Sequence, residues 1–150
     1  MFEVSVPGTT ANLGCGFDVL GMALDLFYTV RVQPLREKRY IIRNHGEGEH
    51  YLPEDERNLF FKTVKMISKI KNFSECGLKV EAFNQIPVCR GMGSSAACIS
   101  AAVVSVNELN GRVLSTQDMI YLATQIEGHP DNVIPALVGG LTVAMKTGDR

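Results

Sequence analysis

The stretch RGMGSSAA (Arg90–Ala97) joins two unlike patterns. Before it, GLKVEAFNQIP (Gly77–Pro87) alternates apolar and polar residues as a half-buried strand does; after it, ACISAAVVSVNEL (Ala97–Leu109) runs in small and apolar residues as a buried helix does. A helix that starts at Ser94 carries backbone N–H groups without intrahelical partners and about half a positive charge from its summed peptide dipoles. Gly91 and Gly93 let backbone approach a bulky anion with no Cβ in the way. Ser94 and Ser95 offer hydroxyls to a phosphate or to Mg²⁺, and Ala96 and Ala97 keep the first turn slim. The same residues also suit a plain glycine loop and serine cap ahead of a tightly packed helix. The GxxxxGK[ST] pattern of a Walker loop is absent.

Outward from this junction, Phe2–Val6 alternates as a short strand, and PGTTANLGCGFD (Pro7–Asp18) reads as a glycine-punctuated loop. MALDLFYTVRVQ (Met22–Gln33) and RYIIRN (Arg39–Asn44) are two further strands, and the polar run from Asn44 to Arg57 is loop. Asn58 caps a helix whose apolar stripe holds Leu59, Phe60, Phe61, Val64, Ile67 and Ile70. After the buried helix, which ends at Gly111, Ser115 and Asp118 form a capping box at the head of another. PDNVIPALV is a third helical piece, and LTVAMK a last strand with no following partner. Strands lead and helices cluster later, which predicts an α+β layer in place of alternating βαβ units. The ending on a strand suggests that the chain is part of a longer protein.

With 150 residues, 45% of them hydrophobic, one folded domain with its own core is expected. Lys and Arg number 15 against 16 acids, so no bulk field draws a nucleic-acid backbone. Cys15, Cys76, Cys89 and Cys98 lack metal-ligand spacing and read as reduced thiols of a cytoplasmic protein. No secretory or membrane-spanning pattern is present in the sequence.

Two more constellations bear chemistry. VPGTTANLGCGFDVLG gathers Thr9, Thr10, Asn12 and Asp18 among glycines after a strand, where they can meet a small polar ligand or tie the loop to itself through side-chain turns. EGHPDNVIPALVGG sets Glu127, His129, Asp131 and Asn132 at the junction of two helices. Glu127 is a hard oxygen ligand suited to Mg²⁺, and the others are helix caps or groups that orient a hydroxyl.

In this order, VPGTTANLGCGFDVLGMALDL, IPVCRGMGSSAA and EGHPDNVIPALVGG closely resemble the GHMP kinase superfamily, and most closely its homoserine kinase branch. The resemblance covers the chain from Val6 onward as the N-terminal, ATP-binding domain of that family; the family's C-terminal domain lies outside residues 1–150. It implies a ribosomal S5 domain 2-like α+β layer, a mostly antiparallel sheet backed by helices. It implies ATP and Mg²⁺, transfer of the γ-phosphoryl group to the side-chain hydroxyl of L-homoserine on the route to threonine, and neither a nucleic-acid nor a membrane partner.

Residue by residue, the resemblance sets Pro87, Val88, Cys89, Arg90, Gly91, Met92, Gly93, Ser94, Ser95, Ala96 and Ala97 around the ATP phosphates, with Asn58 near the adenosine. Ser94 or Ser95 with Glu127 would hold Mg²⁺. Asn12, Asp18 and His129 would meet the substrate, and Arg90 with Asn132 or Asp131 would carry the transfer, which depends on alignment and charge neutralisation more than on a strong base. Gly8, Thr10 and Cys15 stand where relatives usually have alanine, serine and proline, Met92 replaces the usual leucine, and Gln125 replaces a second acid. Leu141, Val143 and Met145 on the last strand form a ready edge for pairing with a second copy, a possible homodimer.

Overall fold

The computed structural model describes residues 1–144, apart from the side chains of Asn12 and Asp18; Met145, expected on the edge strand, lies outside the described residues. Strands β1 (Phe2–Leu13) and β2 (Gly16–Leu35) form one long antiparallel hairpin, turning at Gly14 and Cys15. Strands β3 (Tyr40–Gly46) and β4 (Gly77–Asn84) are parallel to each other, with helix α1 (Leu59–Lys71) between them in the chain. The sheet runs β1-β2-β4-β3, and apart from the β3–β4 pair its ladders are antiparallel, as expected for a mostly antiparallel layer.

The hairpin corrects one expectation. Pro7–Asp18 is not a loop: β1 continues to Leu13 and β2 begins at Gly16. Register shifts between Pro7 and Thr9 and between Ala11 and Leu13 break the alternation that marks a strand in sequence. Glycine is required at one point of this hairpin because a Cβ on Gly21 would collide with the carbonyl oxygen of Asp131.

Along the sheet, Val4, Val6, Tyr28, Val30, Val32, Leu78, Val80, Ala82 and Ile42 are buried. Glu3, Ser5, Arg31 and Lys79 alternate with them on the opposite, exposed face. There Arg31 pairs with Glu3 at 2.8 Å and the Ser5 and Thr29 hydroxyls meet at 2.8 Å, both across the β1–β2 ladder. The buried face carries the helices. Helix α2 (Ser94–Leu109) packs centrally because Ala96, Ala97, Ala101 and Ala102 are completely buried and too small to hold it away from the sheet. Helix α1 lies against α2 through buried Phe60, Phe61 and Ile67, each of which stabilises by about 1.5–3 kcal/mol.

Helix α3 (Thr116–Glu127) opens with the expected capping box: Asp118 N–H donates to Ser115 Oγ at 3.1 Å, and Ser115 N–H to Asp118 Oδ2 at 3.0 Å. Helix α4 (Pro130–Val138) has Pro130 at its first turn and lies against β1 and β2. The last strand, β5 (Leu141–Val143), does have a partner, contrary to expectation. It pairs antiparallel with the upper part of β2, Met22 opposite Leu141 and Leu20 opposite Val143. That partner, Leu20–Met22, precedes it by more than a hundred residues. Leu141 and Val143 are exposed.

Candidate active site

The loop from Pro87 to Gly93 leaves the end of β4 and feeds α2, and it forms one wall of a cleft of about 550 Å³. Its last residue, Gly93, is the N-cap of α2 with φ 66°, the left-handed region that favours glycine. Thr9 of β1 presses against Gly93 so closely that a Cβ there would strike its hydroxyl, and Thr9 N–H donates to Met92 O at 3.1 Å. Among the described residues no side chain caps α2, and its first turn holds no acid. Ala97 N–H reaches the Gly93 carbonyl at 2.9 Å as the first intrahelical bond, so the amides before it are left for a ligand.

Ser95 Oγ donates to Glu127 Oε1 at 2.6 Å, joining the start of α2 to the end of α3 across 32 residues of sequence. Both line the cleft with Ser94 and Asn132. A carboxylate and hydroxyls converging in this way are hard oxygen donors that fit Mg²⁺. Among the described residues no group of three or more His, Cys, Asp or Glu could hold a metal by itself, so an ion here would share its coordination with phosphate oxygens and water.

Arg57, Lys62 and Arg90 also line the cleft, against Glu127 as the one acid among the described residues of its lining. A chain of formal charge −1 has thus gathered positive charge where a polyphosphate would lie. Arg57 is held by Asp55 at 2.9 Å. Asn58 is buried at the cleft wall; its Oδ1 accepts from Phe60 N–H at 3.0 Å and its Nδ2 donates to Pro53 O at 2.7 Å, so its polar side chain is committed to capping α1 while its surface still lines the site.

Tyr28 and Cys98 form part of the floor, 3.8 Å apart. Burial pushes the Cys98 thiol up to about 12, with the Tyr28 hydrogen bond acting against the shift and Glu127 adding to it. Burial, then Cys98, raises the Tyr28 phenol well above its usual value. Both stay protonated at neutral pH, so neither supplies a nucleophile or a base.

Of the residues expected at the site, Asn58, the loop from Pro87 to Gly93, Ser94, Ser95, Glu127 and Asn132 come together on the cleft. Ala96 and Ala97 do not line it; both are fully buried beneath it. Asp131 is also buried and off the cleft, its Oδ1 accepting from Asn132 N–H at 3.0 Å. His129 is the exposed N-cap of α4, makes no side-chain cap bond, and does not line the cleft. Successive helical residues point about 100° apart, which sends these neighbours in different directions. The side chains of Asn12 and Asp18 lie outside the described residues; their backbones belong to β1 and β2 beside the hairpin turn.

Sequence reasoning missed Arg57, Lys62 and Tyr28, and left Thr9 open between a ligand contact and a turn residue. Lys62 follows Asn58 by one helical turn, a spacing that signals a shared face. Thr9 is a strand residue whose hydroxyl donates to Asn132 Oδ1 at 2.9 Å.

The family model for the GHMP kinases N terminal domain matches residues 58–140, more than half of the chain. The chain belongs to the GHMP kinase family. It is 43% identical over 145 residues to the homoserine kinase of Caldicellulosiruptor bescii, covering 97% of this chain and 47% of that one. The crystal structure of the homoserine kinase from Cytophaga hutchinsonii superposes with a TM-score of 0.82 at 32% identity, over 94% of this chain and 47% of that chain. The Methanococcus jannaschii mevalonate kinase matches with a TM-score of 0.77 at 16% identity, over 98% of this GHMP chain and 56% of its own, a likeness of fold alone. The chain spans about half the length of the curated relatives it matches.

Proposed function

We propose that this chain forms the nucleotide-binding half of a kinase that transfers the γ-phosphoryl group of ATP to the side-chain hydroxyl of L-homoserine. The uncapped start of α2, which opens on the cleft beside the Ser95–Glu127 contact, is the observation that carries this reading. It leaves backbone donors, two serine hydroxyls and one carboxylate converging where phosphates would lie, within a lining rich in Arg and Lys. The identity to a homoserine kinase, set against 16% to a mevalonate kinase, favours homoserine as acceptor.

In this reading the first-turn amides of α2 and the loop backbone hold the phosphates, and Arg90 neutralises charge at the γ-phosphoryl group. Mg²⁺, held by Glu127 and Ser94 or Ser95, would supply charge neutralisation across the phosphate oxygens. Asn132, at the cleft, positions the acceptor hydroxyl; Asp131 is too buried to share that task. The hydroxyl oxygen bonds to the γ-phosphorus, the β–γ bridging bond breaks, and ADP leaves with the bond's electrons. Asn12 and Asp18 are assigned to the amino-acid end of the substrate, and His129 acts at most from the rim. The protein would work in the cytoplasm, and the exposed Leu141 and Val143 of β5 favour pairing of two copies at that edge, which sedimentation across a range of concentrations tests.

Phosphorus NMR on the full-length polypeptide that carries this chain, given Mg·ATP and either homoserine or mevalonate, tests the activity. A new phosphomonoester of homoserine formed with equal ADP is expected. Preferred phosphorylation of mevalonate, or ATP hydrolysis with no phosphorylated acceptor, contradicts it.

A further inference from the structure

We propose that Thr9 is a positioning residue that fixes which end of the Asn132 amide faces the cleft, so that Asn132 presents its Nδ2–H donors, and not its carbonyl oxygen, to the oxygen that accepts the phosphoryl group. The inference rests on the kinase reading above for the identity of that oxygen, and on geometry alone for the amide.

Thr9 is completely buried on β1, and its hydroxyl donates to Asn132 Oδ1 at 2.9 Å across 123 residues of sequence. Among the described residues this is the acceptor that satisfies the Thr9 hydroxyl hydrogen. Turning the amide over would set Nδ2 against Thr9 Oγ1 and strand that hydrogen inside the protein, which is unfavourable for a buried donor. Thr9 cannot swing away to compensate. Its N–H is bonded to Met92 O at 3.1 Å, and its side chain fills the space where Gly93 lacks a Cβ. One strand residue therefore holds the phosphate loop with its backbone and orients Asn132 with its hydroxyl.

With Oδ1 engaged by Thr9, the other end of the amide is Nδ2, which donates to no protein acceptor among the described residues although Asn132 lines the cleft with Ser95 and Glu127. A donor at that place seeks a lone pair. On the acceptor hydroxyl, one lone pair attacks phosphorus and the second accepts from Nδ2, which aims the first. The hydroxyl proton cannot pass to an N–H group, so it leaves to a phosphoryl oxygen or to water. Asn132 is thereby an aiming group and not a base.

Thr9→Val keeps the branched shape and removes the hydroxyl; Thr9→Ser keeps the hydroxyl. In the full-length polypeptide, Thr9→Val should lower kcat for homoserine about 100-fold with little change in KM for ATP, and Thr9→Ser should recover most of the loss. A Thr9→Val enzyme with wild-type kcat overturns the proposal, as does an equal loss in Thr9→Ser. If wild type phosphorylates no homoserine, the functional reading fails, and a second measurement still decides the geometry. In ¹⁵N spectra, the Asn132 side-chain NH₂ pair, assigned by its loss in Asn132→Asp, should shift in Thr9→Val and return in Thr9→Ser. A pair that ignores Thr9→Val overturns the inference whatever the activity.

Discussion

Helices α2 and α3 begin in opposite ways. At α3, Ser115 and Asp118 close on each other's backbone, satisfying amides that the helix leaves over. At α2, the N-cap is Gly93, no side chain among the described residues returns to the backbone, and no acid sits in the first turn. The first start is completed within its own four residues; the second opens on a cleft lined by Arg57, Lys62 and Arg90. A helix start left incomplete beside gathered positive charge is where an anion belongs, whereas a completed one contributes stability alone.

Substitutions that act on one helix start and spare the other sharpen this contrast. Gly93→Ala should be the most damaging. It strains a left-handed backbone by about 1–3 kcal/mol and drives a Cβ into Thr9, so Mg·ATP affinity should fall about 100-fold or more in calorimetry, with lower stability in urea. Glu127→Gln keeps the shape of the α3 end but removes its charge, and should cut the Mg²⁺-dependent gain in nucleotide affinity about tenfold, measured with and without the ion. At the other start, Ser115→Ala should cost about 1 kcal/mol, lowering Tm by about 2–4 °C while nucleotide affinity stays unchanged. Equal loss of nucleotide affinity from Ser115→Ala would erase the distinction.

The smallest effect is one of pH. Hydrogen bonds from the Ser115 side chain and backbone hold the Asp118 carboxyl below its usual value of 3.8. A carboxylate whose folded value is depressed stabilises fully above its unfolded value and ceases to do so as pH falls through the folded one. The Tm gap between wild type and Asp118→Asn should therefore be constant near neutrality and close only below about pH 4. A gap that persists at the lowest pH where the chain still folds would show that Asp118 acts by shape and not by charge.

Local signals in the sequence carried the Ser115 box, the Asn58 cap and the glycine-serine start of α2, since each is set by residues within one helical turn, and the succession of strand and helix patterns carried the α+β order. The β1–β2 hairpin was hidden because its register shifts, near Gly8 and Asn12, interrupt the period of two on which strand reading depends. The partner of β5 was hidden because Leu20–Met22 precedes it by more than a hundred residues, a pairing that no local pattern signals. Within the site, the cluster His129, Asp131 and Asn132 looked like one constellation, but α4 directs only Asn132 to the cleft. The Thr9–Asn132 bond joins residues that no local pattern connects.

Titration of the full-length polypeptide with Mg·ATP by calorimetry, for wild type and for the Ser94→Ala, Ser95→Ala double variant, tests the central claim most directly. Saturable binding by wild type, weakened at least about tenfold in the double variant while Tm is maintained, is expected if the open start of α2 is the phosphate site. Equal affinity of the two proteins would place the nucleotide elsewhere and contradict it.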